Sequence, residues 1–212
     1  MDKDGKPTIT PTRHGPLLVK NLKKLINSKG DDLDTNVTMT LCRCGKSKNK
    51  PFCDGAHLKN GFSDKKDPDR IEDKMDDYEG KDITIHDNRG VCSHREYCTD
   101  YAPKVFRRRV EPWIDPDAQN ANETGRVIKM CSSGALSYTK DGALFKDWDN
   151  EPTVIISKGG PYEVQGYVEL NDPDGNEPES KEHYTLCRCG HSKNKPFCDG
   201  NHWHVKFKDP KN

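Results

Sequence analysis

Leu41-Cys42-Arg43-Cys44-Gly45-Lys46-Ser47-Lys48-Asn49-Lys50-Pro51-Phe52-Cys53-Asp54-Gly55-Ala56-His57 sets three thiols and an imidazole within seventeen residues, at the spacing C-x-C-x8-C-x3-H. The stretch recurs from Leu186 to His202 with fifteen of seventeen positions identical, Lys46/His191 and Ala56/Asn201 being the differences. A polar loop with nothing to hold has no reason to keep such a donor set twice. Cys42, Cys44, Cys53 and His57, and again Cys187, Cys189, Cys198 and His202, are therefore candidate metal ligands. Cys42 and Cys44 stand two apart, so an extended backbone turns both sulfurs to one side. Cys53 and His57 stand four apart, on one face of a helical turn that Asp54 would N-cap, with Pro51 keeping the approach non-helical. Gly45 and Gly55 would let the backbone come close to a bulky inorganic group. Two facing donor pairs suit a two-iron rhomb, one pair per iron. They also suit a tetrahedral zinc ion, since Cys3His is a known structural set, and the chain is then a zinc-binding interaction module.

Cys42-Arg43-Cys44 and Lys50-Pro51-Phe52-Cys53-Asp54-Gly55-Ala56-His57, with their later twins, resemble the CDGSH (NEET) iron–sulfur domain. Members of that family hold a [2Fe–2S] cluster with three cysteines and one histidine, so the resemblance implies one such cluster in each copy. The serine usual before the histidine is Ala56 in the first copy and Asn201 in the second, at a position that is not a ligand.

The repeat extends beyond the loop. Gly15-Pro16 aligns with Gly160-Pro161, Val19 with Val164, Leu25 with Leu170 and Gly30 with Gly175, all at the 145-residue offset of the cysteines. Residues 16–20 and 161–165 read as short strands, a turn follows, and residues 37–41 and 183–186 return as strands into the ligand loops. Each unit is too small to bury a core alone, which predicts that the two pack together. In the family that the loops resemble, single-domain members form two-fold dimers and a two-domain member is a pseudo-two-fold monomer. The tandem resembles the latter and implies a monomer.

Between the copies, residues 63–80 are charged without hydrophobic period and read as a linker. Residues 82–86, 135–138 and 152–156 read as strands. Residues 92–106 and 119–130 can carry helices, the first interrupted near Pro103 and the second weakened by Gly125. The predicted organisation is 1–62 first CDGSH domain, 63–80 linker, 81–150 middle domain and 151–212 second CDGSH domain. The fold class is α+β, with two β-rich units as a pseudo-two-fold pair and an inserted α+β domain.

Cys92-Ser93-His94-Arg95-Glu96-Tyr97-Cys98, followed by Cys131-Ser132-Ser133-Gly134-Ala135-Leu136, is similar to the divergent single-cluster [4Fe–4S] ferredoxin-like domain, over about residues 78–140. Its pattern reads C-x-H-x3-C and CPSGAL. Here Arg95 fills the middle position of a C-x2-C-x2-C run, and Ser132 stands where proline follows the last cysteine. The resemblance implies Cys92, Cys98 and Cys131 as ligands, with His94 as a candidate fourth. Three thiols suit a [3Fe–4S] cluster, or a [4Fe–4S] cluster when His94 or solvent completes it.

Composition limits the function classes. Hydrophobic residues are 31% of 212 and charged residues 33%, a thin supply for a core, so bound clusters would act as staples. The formal net charge is zero, which gives no nucleic-acid footprint. No apolar run reaches membrane-spanning length, and the acidic, polar start does not read as a presequence. Nine cysteines grouped as metal ligands indicate a reducing compartment, and the cytoplasm is the expected location. No nucleotide loop, nucleophile elbow or acid–base pair appears, so no catalytic residue and no enzyme activity is expected. A neutral histidine in place of a thiolate makes a cluster less negative and raises its potential. Arg43, Lys46, Lys48, Lys50, Arg188, Lys193 and Lys195 would favour the reduced state and steer an acidic redox partner or cluster acceptor, and Arg107-Arg108-Arg109 is either a docking patch or a solvated face.

Overall fold

The structure is a computed structural model that describes residues 5–210 and 212. Its first unit holds strands β1 (Thr8–Pro11), β2 (Leu17–Lys20), β3 (Lys24–Ile26) and β4 (Thr38–Leu41). The middle unit holds β5 (Met75–Glu79), β6 (Thr84–Asn88), helix α1 (Tyr97–Tyr101), helix α2 (Ala121–Ile128), β7 (Leu136–Lys140) and β8 (Ala143–Phe145). The last unit holds β9 (Thr153–Ile156), β10 (Tyr162–Gln165), β11 (Glu169–Leu170), β12 (His183–Leu186) and helix α3 (Asn201–His204). The chain is thus α+β with strands in the majority.

Three four-stranded sheets result, ordered β11-β1-β2-β4, β12-β10-β9-β3 and β5-β6-β7-β8. In the first two, the third strand of each unit leaves its own sheet. β11 runs parallel to β1 with Ile9 opposite Leu170, and β3 runs parallel to β9 with Leu25 opposite Val154. One core spans both units: Ile9, Leu17, Val19 and Leu25 pack with Val154, Tyr184 and Leu186, all nearly inaccessible. At roughly 1.5–3 kcal/mol for each fully buried large aliphatic side chain, this shared interior is what two thin units gain by joining.

The middle unit has its own core of Ile85, Phe106, Ile114, Ile128 and Tyr138. The glycine that weakens α2 has a packing reason, because a Cβ at Gly125 would lie 2.9 Å from the Tyr138 ring. The helix expected over 92–106 shrinks to five residues: the chain enters α1 through left-handed Glu96 (φ 64°) and leaves at Ala102. Residues 63–80 differ from the expected linker. Met75–Glu79 pairs as an edge strand with β6, and Asp64 and Asp73 hydrogen-bond to Arg43 and Asn194 of the two ligand loops.

The middle unit covers one face of the last. Gly134 lies against the His183 carbonyl, Trp148 stacks on His183 with centroids 6.0 Å apart, and Asn88 donates to Glu179 at 3.1 Å. Every residue of β12 is consequently buried, whereas its twin β4 alternates between exposed and buried.

Candidate metal centres

Each ligand loop is closed by the same backbone and side-chain hydrogen bonds. Cys42 N–H donates to Pro51 O at 2.8 Å and Cys53 N–H to Thr40 O at 3.0 Å, while Cys187 and Cys198 repeat this at 2.9 and 3.0 Å. Ser47 Oγ donates to Phe52 O at 2.7 Å, as Ser192 does to Phe197 O. Asp54 accepts from Lys48 N–H at 2.7 Å and Ala56 N–H at 3.0 Å, and Asp199 accepts from Lys193 and Asn201 at the same distances. Asp54 is not the N-cap of the turn. That place belongs to Gly55 at φ 82°, a left-handed conformation that suits glycine, and Asp54 pins the loop from one residue earlier.

The donors pair two and two, as the spacing predicts. Cys42 and Cys44 sulfurs are 3.7 Å apart and Cys53 Sγ lies 3.4 Å from His57 Nδ1. In the second loop the separations are 3.9 Å for Cys187–Cys189 and 3.4 Å for Cys198–His202. Two donors on one tetrahedral metal, at about 2.3 Å for sulfur and about 2.0 Å for nitrogen, stand roughly 3.5–3.8 Å apart. The residues therefore fit one metal per pair. Within each thiol pair the hydrogen bond between the two sulfurs makes one proton easier to lose and the other harder.

The twin loops differ in surroundings. Cys198 and His202 are 2% and 3% exposed, whereas Cys53 and His57 are half-buried. Burial pushes the Cys198 thiol well up and lowers His202 to about 4, with Arg95 and His94 adding to the latter. His202 Nε2 is a buried nitrogen without a hydrogen-bond partner.

Gly45 and Gly190 have a different purpose from the expected approach to an inorganic group. A Cβ at Gly45 would fall 2.8 Å from the Cys189 carbonyl carbon and nearer still to its oxygen, and one at Gly190 would fall 2.6 Å from the Cys44 carbonyl oxygen, so the two loops lie back to back.

Arg43 and Arg188 are likewise not surface cations. Arg43 donates to Gly15 O (2.7 Å), Thr12 O (2.6 Å) and Asp64 (3.2 Å), and Arg188 to Gly160 O (2.9 Å), Ser157 O (2.8 Å) and Asp209. Phe62 and Phe207 lie under the two guanidinium groups. Phe62/Phe207 and Asp64/Asp209 keep the 145-residue offset, so the repeat runs past the histidines, a signal legible in the sequence but unread. Lys46, Lys48 and Lys193 are the loop cations left at the surface, while Lys50 and Lys195 turn back onto the Ser47 and Ser192 carbonyls.

The three middle cysteines also come together. Cys92, Cys98 and Cys131 line one cavity of about 450 Å³ with His94, Arg95, Ser132 and Ser133. That space is ample for an inorganic cluster of eight heavy atoms, given about 30 Å³ for a water. Burial raises Cys92 to about 11 and Cys98 to about 12, with the Arg89 guanidinium pulling both the other way. Ser132 Oγ is a buried hydroxyl without a partner, another sign of a site built for something more. Arg95 ion-pairs with Glu163 of β10 at 3.0 Å. Arg89, which sequence reading passed over, reaches Cys92 Sγ at 3.7 Å while stacked over Trp113 at 3.9 Å. Arg107, Arg108 and Arg109 line the same cavity. Trp113 thus packs, as its neighbours Tyr78 and Phe106 also indicate.

His14, His86 and His183 pair with Asp64, Asp77 and Glu182 respectively, which accounts for them without a ligand role. None of the nine cysteines is joined in a disulfide. No helix among the described residues is long and apolar enough to cross a membrane.

Comparison with known proteins agrees with these three places. A family described as an iron-binding zinc finger of the CDGSH type matches residues 14–58 and 159–203. A second, described as a divergent 4Fe-4S mono-cluster, matches residues 78–141. The uncharacterized protein YjdI of Escherichia coli K12 is 36% identical over 61 residues, which is 29% of this chain and 80% of that protein, and YjdI of the O157:H7 strain matches equally. No solved structure matches the chain.

Proposed function

From the premise that this chain belongs to the CDGSH iron-binding family and carries a divergent 4Fe–4S mono-cluster domain between its two CDGSH domains, we propose that it is an electron carrier holding three clusters. The observation that carries this reading is the two-plus-two pairing of donors in both loops, at separations that suit one metal per pair. Cys42, Cys44, Cys53 and His57 would hold one [2Fe–2S] cluster, and Cys187, Cys189, Cys198 and His202 the other. Cys92, Cys98 and Cys131 would hold a [4Fe–4S] or [3Fe–4S] cluster. When bound, these groups supply one-electron chemistry; the chain positions their ligands and excludes water.

The exchange of β3 and β11 and the constant 145-residue offset support a pseudo-two-fold pair within one chain, and the shared core supports a monomer. No substrate of its own is assigned to the protein. It serves a redox partner, or a cluster acceptor, in a reducing compartment such as the cytoplasm. His94 has its ring against Gly200, so a solvent or serine fourth ligand is the reading we favour for the middle site.

Anaerobic iron and sulfide analysis with visible and EPR spectroscopy tests the proposal. Seven or eight irons per chain are expected with a red-brown colour; about four would leave the middle site empty, and a colourless protein with stoichiometric zinc overturns the reading.

A further inference from the structure

The two CDGSH loops are near-identical in sequence but differ in what touches them. Gly55, two residues after Cys53, has nothing within 4 Å of a built Cβ. Gly200, two residues after Cys198, has His94 there, with Cδ2 less than 2.5 Å away. His94 is itself two residues after Cys92. Two residues of chain span at most about 7 Å, so a single van der Waals contact joins a ligand of the middle site to a ligand of the second CDGSH site by a short covalent path on each side.

Further contacts hold the junction. Trp203 Nε1 donates to His94 O at 2.9 Å, Asn194 Nδ2 donates to Gly90 O at 2.9 Å, and Arg95 pairs with Glu163. On its other side the second site meets the first, through Gly45 on the Cys189 backbone and Gly190 on the Cys44 backbone. The second site therefore touches both others and is sealed from solvent, while the first keeps Cys53 and His57 partly open.

We propose that the twin loops have divided their work: the second CDGSH site is an internal relay coupled to the middle site through the His94–Gly200 contact, and the first is the terminus that meets solvent and outside partners. This rests on the three-cluster reading above. Each transfer moves one electron, the middle site being oxidised as the second is reduced and the second being reoxidised as the first is reduced, so no further reactant enters.

EPR of the fully reduced full-length protein tests it. Paramagnetic centres couple through a dipolar interaction that falls with the inverse cube of distance. The middle centre should relax several-fold faster than an isolated one, and Cys198→Ser should abolish that enhancement while Cys53→Ser leaves it in place. A Cys53→Ser effect equal to or larger than that of Cys198→Ser overturns the relay. Pulsed dipolar measurement on the wild type needs no variant to fold. It should give a shorter distance from the middle centre to the second site than to the first. Equal distances, or a shorter one to the first, overturn the relay alone, with all three sites filled. An iron content of about four per chain overturns the relay together with the three-cluster reading.

Discussion

The Tyr162 hydroxyl, on β10 of the second unit, donates to the Cys42 carbonyl of the first unit's ligand loop at 2.8 Å, and also to Pro51 O at 3.1 Å. Its counterpart 145 residues earlier is Leu17, which has no hydroxyl, so this tie holds only the first loop. Tyr162→Phe leaves the Cys42 carbonyl without that donor in a buried place and should cost about 1–2 kcal/mol. The first site should lose iron faster while the second is unaffected; equal acceleration at both, followed by visible absorbance, would count against the tie.

Glycine substitutions separate loop packing from backbone conformation. Gly45 and Gly190 combine positive φ with backbone atoms of the opposite loop in the way of a Cβ, whereas Gly55 has positive φ and open space. Gly55→Ala should cost about 1–2 kcal/mol from the left-handed conformation alone. Gly45→Ala or Gly190→Ala should cost well over that and lower the iron content of both CDGSH sites. Thermal unfolding and iron assay of the three variants check the order, and a Gly55→Ala loss as large as the others sinks it.

Unequal burial should make the two CDGSH sites unequal in lability. Iron release to a chelator in mild acid is expected in two phases, the fast one from the first site. His57→Cys should slow the fast phase, and His202→Cys should leave it unchanged. A single phase would show that sealing by the middle unit does not protect the second site.

Asp87 gives a pH dependence with a defined sign. It is 2% exposed, and burial lifts its carboxyl to about 6 against the opposing pull of Arg89. The folded protein holds this proton more tightly than the unfolded chain. The stability it contributes is therefore full below about pH 4 and is lost as the pH rises through 6. Wild type should gain on Asp87→Asn by about 1.4 kcal/mol as the pH falls from 7.5 to 5, read by urea unfolding. A pH-independent gap would mean that the carboxyl is not raised.

Arg89 places a positive charge against Cys92 of the middle site. Arg89→Gln should lower the potential of that centre by about tens of millivolts and leave the two CDGSH centres unmoved. A redox titration followed by EPR reads all three, and an unchanged middle potential rules the residue out as a tuning group.

Both ligand sets were legible in the sequence because repetition made them conspicuous and because spacing of two and four has a local geometric meaning. The buried role of Arg43 and Arg188 was not, since it depends on partners 21 residues on, Asp64 and Asp209, outside the loops. Strands β3 and β11 escaped for a related reason: two or three residues carry no periodicity, and what makes them strands is pairing with the opposite unit. The middle cysteines could be named only through their resemblance to a known ferredoxin-like pattern. Only the fold places Cys131 beside Cys92 and Cys98, and only it reveals that His94 leans on Gly200. The lone early strand Thr8–Pro11 became visible as the counterpart of Thr153–Ile156 once both were seen paired.

Because β3 and β11 each complete the sheet of the opposite unit, neither half of the repeat can stand by itself. A half-length chain would present an open strand edge and could close it only on a second copy of itself. Fusing the halves makes that closure independent of dilution: at nanomolar abundance, where a pair of separate chains would drift apart, the two loops remain held against each other.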